Sequence, residues 1–152
     1  MFKNFYRSLI YSGILLITLL LTGSLNLPSL DKTFSLELPL NGVKVLDISQ
    51  GVAGPYAAKL LGGMGADVIS VEPPIHGDYA RLTPPFFEDD LHIEKSGLFL
   101  YLNTDKRSIT LDLSSERSQS VIKPLIEWAD IIIENYAPNT LGKWGLSYKD
   151  IE

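Results

Sequence analysis

Gly51-Val52-Ala53-Gly54-Pro55 forms the turn within Gly42 to Asp78, the stretch on which the rest of the chain hangs. It follows an aliphatic run and precedes residues at helical spacing. Such a turn places glycines and a helix N-terminus together, and free N–H groups with the helix dipole favour an anion there. The pattern is not G-x-G-x-x-G, so the dinucleotide fingerprint is absent and a plain structural turn stays open beside the anion site. Adjacent cations, Lys106-Arg107, stand in a second polar turn. His76 and His92 lie in the proline-rich segment 73–97, without H-x-x-x-H spacing, and read as solvated. The acidic run Glu88-Asp89-Asp90 reads the same way. There is no cysteine, which excludes disulfides, thiolate catalysis and cysteine-based zinc sites. No catalytic or metal-ligating set is assigned.

The elements that position the turn follow from periodicity. Val43 to Ile48 is a short aliphatic run, the mark of a buried strand. Pro55 suits the first helical position. Ala57, Leu60, Leu61 and Met64 then fall at i, i+3, i+4 and i+7, predicting the buried helix face. Gly62, Gly63 and Gly65 stop that helix, and Asp67 to Glu72 is a second strand ended by Pro73-Pro74. Strand, helix, strand in about thirty residues is a βαβ unit with a parallel pair. Leu98 to Leu102 reads as helix or strand, Asn103 to Ser108 as a turn, and Ile109 to Leu113 as a half-exposed alternating strand. A helix buried through Val121, Ile122, Leu125, Ile126 and Ala129 carries Pro124 in its interior. Asp130 to Glu134 is the next strand. A short helical piece ends at Gly145, and another turn of helix begins after Leu146. The prediction is a Rossmann-like α/β domain, with a mostly parallel sheet and flanking helices.

Residues 41–152 carry ten Lys/Arg against sixteen Asp/Glu, so this part is acidic. Non-specific nucleic-acid binding, which needs a basic surface to displace counterions, is excluded as a role. Before it, Ser8 to Leu30 is a run of twenty-three residues without a charge, preceded by Lys3 and Arg7. A signal peptide, a membrane anchor and a start codon assigned too early all fit it. Residues 24–40 read as a linker. On the first two readings the product is secreted or membrane-anchored, and a non-catalytic α/β module of that kind is the alternative from another class. On the third it is cytoplasmic.

Several blocks occur together in a recognisable order: Leu46-Asp47, Ala53-Gly54-Pro55, Gly65-Ala66-Asp67-Val68-Ile69, Val71-Glu72-Pro73-Pro74 and Gly77-Asp78 with Arg81. Asn103 with Lys106 to Asp112, then Ala129-Asp130 and Ile133 to Tyr136, continue the series. From about residue 40 to the end, the chain resembles the N-terminal part of the family III CoA-transferases. This CaiB/BaiF group includes the α-methylacyl-CoA racemases, and residues 1–39 have no counterpart in it.

The resemblance implies a Rossmann-like domain that binds coenzyme A, within a longer subunit that interlocks with a second copy. Acyl-CoA and a carboxylic acid acceptor would be the substrates, with no covalently bound cofactor. In the transferase branch an aspartate attacks the thioester. In the racemase branch a His and an Asp form an acid–base pair. Both sets lie beyond the portion matched here, so Asp47, Asp67, Asp112 and Asp130 read as structural aspartates at strand ends. CoA contacts carry over to Val52 and Ala53 in the first turn, to Leu111, Asp112, Leu113 and Ser114, and to Asn135, Tyr136 and Ala137. Lys143 stands where an arginine commonly meets phosphate, keeping the charge without the bidentate fork. Another phosphate-side arginine of some members is Pro73 here. Lys106 and Arg107 are expected as cationic neighbours. Some members with small-acid substrates have glutamine at the position of Val52, and valine cannot supply that hydrogen bond. The chain reads as an incomplete piece of the domain, expected to bind acyl-CoA weakly or not at all by itself and to leave a sheet edge and apolar faces uncovered.

Overall fold

In the computed structural model the described residues are 37–151. The charge-free run from Ser8 to Leu30, and every expectation placed on it, lies outside them. Among the described residues no helix is long and apolar enough to cross a membrane.

Four strands, β1 (Lys44–Asp47), β2 (Asp67–Glu72), β3 (Lys106–Thr110) and β4 (Ile131–Ile133), form one all-parallel sheet in the order β3-β2-β1-β4. Lys44 stands opposite Asp67, Val68 opposite Lys106 and Val45 opposite Ile131. Among the described residues five α-helices accompany them: α1 (Ala53–Gly63), α2 (Gly97–Leu102), α3 (Gln119–Trp128), α4 (Thr140–Lys143) and α5 (Tyr148–Ile151). Because strand side chains alternate, neighbouring core residues serve opposite faces. Val45 and Val68 pack with Ala58 and Ala66 on the α1 side. Leu46, Ile69 and Val71 pack with Leu113, Ile122 and Leu146 on the α3 side. This is the Rossmann-like arrangement predicted.

Three details differ from expectation. The face of α1 turned inward is Gly54, Pro55, Ala58 and Gly62, while Leu60 and Met64 are 48% and 41% exposed. The helix lies so close to the sheet that a Cβ on Gly62 would stand 2.8 Å from the Asp105 carbonyl oxygen. Small residues therefore win over large apolar ones on that face. Pro55 is the third helical residue, still inside the first turn, where N–H groups have no intrahelical acceptor. Finally, β3 starts at Lys106 instead of Ile109, and Ile109 alone of its apolar residues serves the core face.

The long segment after β2 is organised by local caps. Asp78 caps a 3₁₀ turn over Tyr79–Leu82 by accepting the Ala80 N–H at 2.7 Å. Ser96, 1% exposed, caps α2 by accepting the Phe99 N–H, and its hydroxyl lies 2.7 Å from the carbonyls of both Ala80 and Thr83. Ser96→Ala removes the cap and strips a partner from buried carbonyls, so we expect a loss of about 1–2 kcal/mol. Urea unfolding reads this as a lower midpoint at unchanged slope. An unshifted midpoint would show that the cap contributes nothing. The α3 helix contains Pro124 as predicted, with Ile122 fully buried but Val121 47% exposed.

Candidate functional site

The carboxyl ends of β1, β2 and β4 and the chain leaving β3 converge on one rim, the side on which open α/β sheets receive ligands. At β1 the chain leaves through Ser49, Gln50 and Gly51 into α1. No acidic residue stands in the first turn of α1 and no side chain caps it. Val52, at the cap position, is 51% exposed, and Ala53 beside it is exposed too.

The exit of β4 is tied to this turn by a reciprocal pair. The Gln50 N–H donates to Asn135 Oδ1 at 3.0 Å, and Asn135 Nδ2 donates to the Gln50 carbonyl at 2.7 Å. Gln50 Nε2 donates in turn to the Tyr136 hydroxyl at 3.1 Å. The Tyr136 ring meets Trp144 edge to face, centroids 5.1 Å apart. Burial raises the Tyr136 hydroxyl above the ordinary phenol value, against the opposing donation from Gln50. At neutral pH it is therefore a neutral donor.

The chain leaving β3 supplies the facing wall. Its ladder continues through the Leu111 N–H to the Glu72 carbonyl, and Leu113 turns into the core. Asp112 Oδ1 accepts from the N–H and hydroxyl of Ser114 at 3.0 and 2.6 Å, fixing an Asx turn. A cavity of about 150 Å³ lies between Leu111–Ser114 and Tyr136, completed by Gln50, Val71, Pro73 and Trp144.

Five residues selected from the sequence, Leu111 to Ser114 and Tyr136, thus line one cavity. Asn135, Val52 and Ala53 join it through the Gln50 turn. Ala137 and Lys143 stand exposed at the two ends of the loop and helix leading to Trp144. Arg107 is not brought in. It sits near the amino end of β3, opposite Ile69, and clasps Asp67 through contacts of 2.7 Å. Lys106 is not a free cation beside the rim either. Its Nζ is 2.9 Å from Asp47 Oδ2 and from Asn103 Oδ1, with both ion-pair side chains essentially unexposed. Asp47 also accepts from the N–H and hydroxyl of Ser49. Asp130 accepts the Lys44 N–H. The four strand-end aspartates are therefore engaged within the fold, as expected of structural residues.

Sequence reasoning passed over Gln50 and Trp144, which complete the cavity, and a buried polar cluster behind it. There Glu72 receives Arg81 on both oxygens, at 2.6 and 3.0 Å, with Ser108 Oγ at 2.6 Å and the Asp78 N–H at 3.1 Å. Burial pushes the Glu72 carboxyl up, but the hydrogen bonds and charge of Arg81, with Ser108 and Asp78, outweigh it and hold the group below its ordinary range. Asp78 is the reverse case: burial raises it, and the Ala80 and Gly51 N–H groups offset only part of that. His76 and His92 are both exposed.

A parallel sheet with a polar rim at its carboxyl end and a glycine turn leading into a helix defines the Rossmann-like, ligand-binding class of α/β domains. Within that class the chain belongs to CoA-transferase family III, whose match runs over residues 40–152. It is 40% identical over 115 residues to succinyl-CoA:glutarate CoA-transferase of Mus musculus, covering 75% of this chain and 25% of that protein. It is 39% identical over 112 residues to succinyl-CoA:mesaconate CoA-transferase of Haloarcula hispanica, covering 74% and 28%. The crystal structure of a CaiB/BaiF family protein from Brucella suis superposes with a TM-score of 0.68 at 38% identity, covering 76% of this chain and 30% of that one. The chain thus spans under a third of the length of these relatives.

Proposed function

We propose that this chain supplies the CoA-binding rim of a CoA-transferase that moves CoA between an acyl-CoA and a carboxylic acid. The observation that carries the reading is the cavity formed by Leu111–Ser114 and Tyr136 beside the Gln50–Ala53 turn. In this proposal Val52 and Ala53 meet the cofactor at the start of α1, whose uncapped N-terminus suits the negative charge of CoA. Leu111 to Ser114 and Asn135 to Ala137 present backbone groups to the nucleotide part, and Lys143 offers a point charge to phosphate. Pro73, where an arginine would add a fork, leaves that charge alone. Arg107 is outside the proposed site because Asp67 already holds it.

The relatives named above are transferases whose names share succinyl-CoA as donor and a dicarboxylic acid as acceptor. We carry over the reaction class, a CoA thioester and a free acid, with the nucleophile and an interlocking second copy belonging to a longer subunit. The rim itself then binds CoA weakly. Amide chemical shifts of the full chain titrated with CoA to millimolar concentration test this. Movement confined to residues 50–53, 111–114 and 135–144 is expected. Shifts elsewhere, or none, would sink the reading, and micromolar affinity in calorimetry would contradict the division of the site.

A further inference from the structure

We infer that Asp78 is the positioning residue of the Gln50–Ala53 turn, and that its ionised carboxylate holds this turn in the shape that faces the cavity. The inference deepens the CoA-rim reading and rests on it for its functional consequence. The Gly51 N–H points at both oxygens of Asp78, at 3.0 and 2.8 Å, across 27 residues of chain. Gly51 itself has φ of +80°, a conformation that L side chains rarely adopt, so the turn relies on an outside partner as well as on glycine. Nothing else in the turn supplies an acceptor to that N–H. Asp78 is 4% exposed, and it is held from behind by Glu72, which accepts the Asp78 N–H and is fixed by Arg81. The tyrosine that follows, Tyr79, lies over the same glycine: a Cβ on Gly51 would fall 1.7 Å from its hydroxyl. The segment after β2 therefore grips the first ligand-facing turn at one point, through one carboxylate.

Titratable groups face Asp78 from three strands and from the rim. Glu72 on β2 and Asp47 on β1 disfavour its negative charge, Lys106 on β3 favours it, and the Tyr136 hydroxyl lies on the rim side. Burial, with the charges of Glu72 and Asp47, outweighs the Ala80 and Gly51 N–H groups and raises the Asp78 carboxyl, so it takes up a proton at a higher pH than a free aspartate. A neutral carboxyl is a weaker acceptor than a carboxylate, so acidification loosens the Gly51 contact.

Proton shifts of the Gly51 and Ala80 amides, followed against pH in the full chain without ligand, test the inference. Both signals should titrate together, with a midpoint above that of an ordinary aspartate, and Asp78→Asn should abolish the titration while leaving the sheet amides in place. A CoA titration at two pH values is run alongside. Binding should weaken on acidification about tenfold more in the wild type than in Asp78→Asn, the loss of a charge-assisted bond, with the titration of CoA itself common to both. A Gly51 amide that does not move with pH overturns the inference, and the wild-type titration decides this even if the variant fails to fold. So does a CoA affinity whose pH dependence is as steep in Asp78→Asn as in the wild type. CoA that leaves the wild-type rim unperturbed while Gly51 still titrates overturns the function proposed for the rim and spares the Asp78–Gly51 coupling.

Discussion

Lys106→Met should destabilise the domain by about 3–5 kcal/mol, among the largest single-residue effects expected outside the apolar core. The reason is what the substitution leaves behind. Asp47 has no exposed surface, and its other partner among the described residues is Ser49. A buried carboxylate stripped of its cation must either remain uncompensated or take up a proton. The pair itself is not a source of great stability. Burial lowers the Lys106 ammonium below its ordinary value even though Asp47 pulls the other way, so desolvation exceeds attraction. It follows that Asp47→Asn together with Lys106→Met should recover most of what Lys106→Met alone loses. Urea unfolding of the four proteins in the cycle measures the coupling directly. If the double variant is no better than the single one, the side chain of Lys106 matters through packing along its stem instead of through its charge.

Arg81→Met should cost a comparable 3–5 kcal/mol at neutral pH, roughly the cost of breaking a buried pair by removing one partner, with a pH dependence that identifies the cause. Arg81 fills both oxygens of Glu72, meets Glu94 at 3.1 Å and lies 3.6 Å from the centroid of Phe99. It therefore joins β2, the 3₁₀ turn and α2. Glu72 is held below its ordinary value of 4.5, so its ionised form favours the folded state. That contribution is complete above the unfolded value and disappears as pH falls through the lower folded one. The gap between wild type and Arg81→Met should accordingly narrow as pH drops below 4.5. Asp78, whose carboxyl is raised above 3.8, contributes with opposite sign: its ionised form disfavours folding, and stability rises as it takes up its proton. Since both proteins keep Asp78, its effect largely cancels in the difference. A gap that stays constant with pH would assign the loss to the stacking on Phe99 and not to the ion pair.

The strands at the centre of the sheet were legible because a fully buried parallel strand writes itself as an unbroken aliphatic run, as in Val45-Leu46 or Val68-Ile69. The inward face of α1 was not. Periodicity weights large apolar residues, and it selected Ala57, Leu60, Leu61 and Met64. Of these only Leu61 packs against the core on that side, and close contact with the sheet is made by Gly54, Ala58 and Gly62, where proximity decides over hydrophobicity. The start of β3 was hidden for a related reason. Lys106 reads as part of a turn until its partner is known, and that partner, Asp47, is 59 residues away. The rim residues came from family resemblance, and the structure draws most of them together. Arg107 shows the limit of that transfer: it stands beside Lys106 in sequence, yet alternation sends it to the other face and Asp67 claims it. The Gly51–Asp78 contact left no local trace, since neither residue alone signals a bond across 27 positions.

The strand order has a consequence for how the chain emerges during synthesis. β1 lies between β2 and β4, but β4 arrives 84 residues after β1 ends. Three strands and α1 can assemble on the ribosome while one flank of β1 stays unpaired. The contact between Gln50 and Asn135 can close only once β4 is made. The rim proposed to hold CoA thus waits for β4 and for Trp144 beyond it. A nascent chain halted before Asn135 carries the glycine turn without its fastening, and with an open strand edge that invites pairing with other chains.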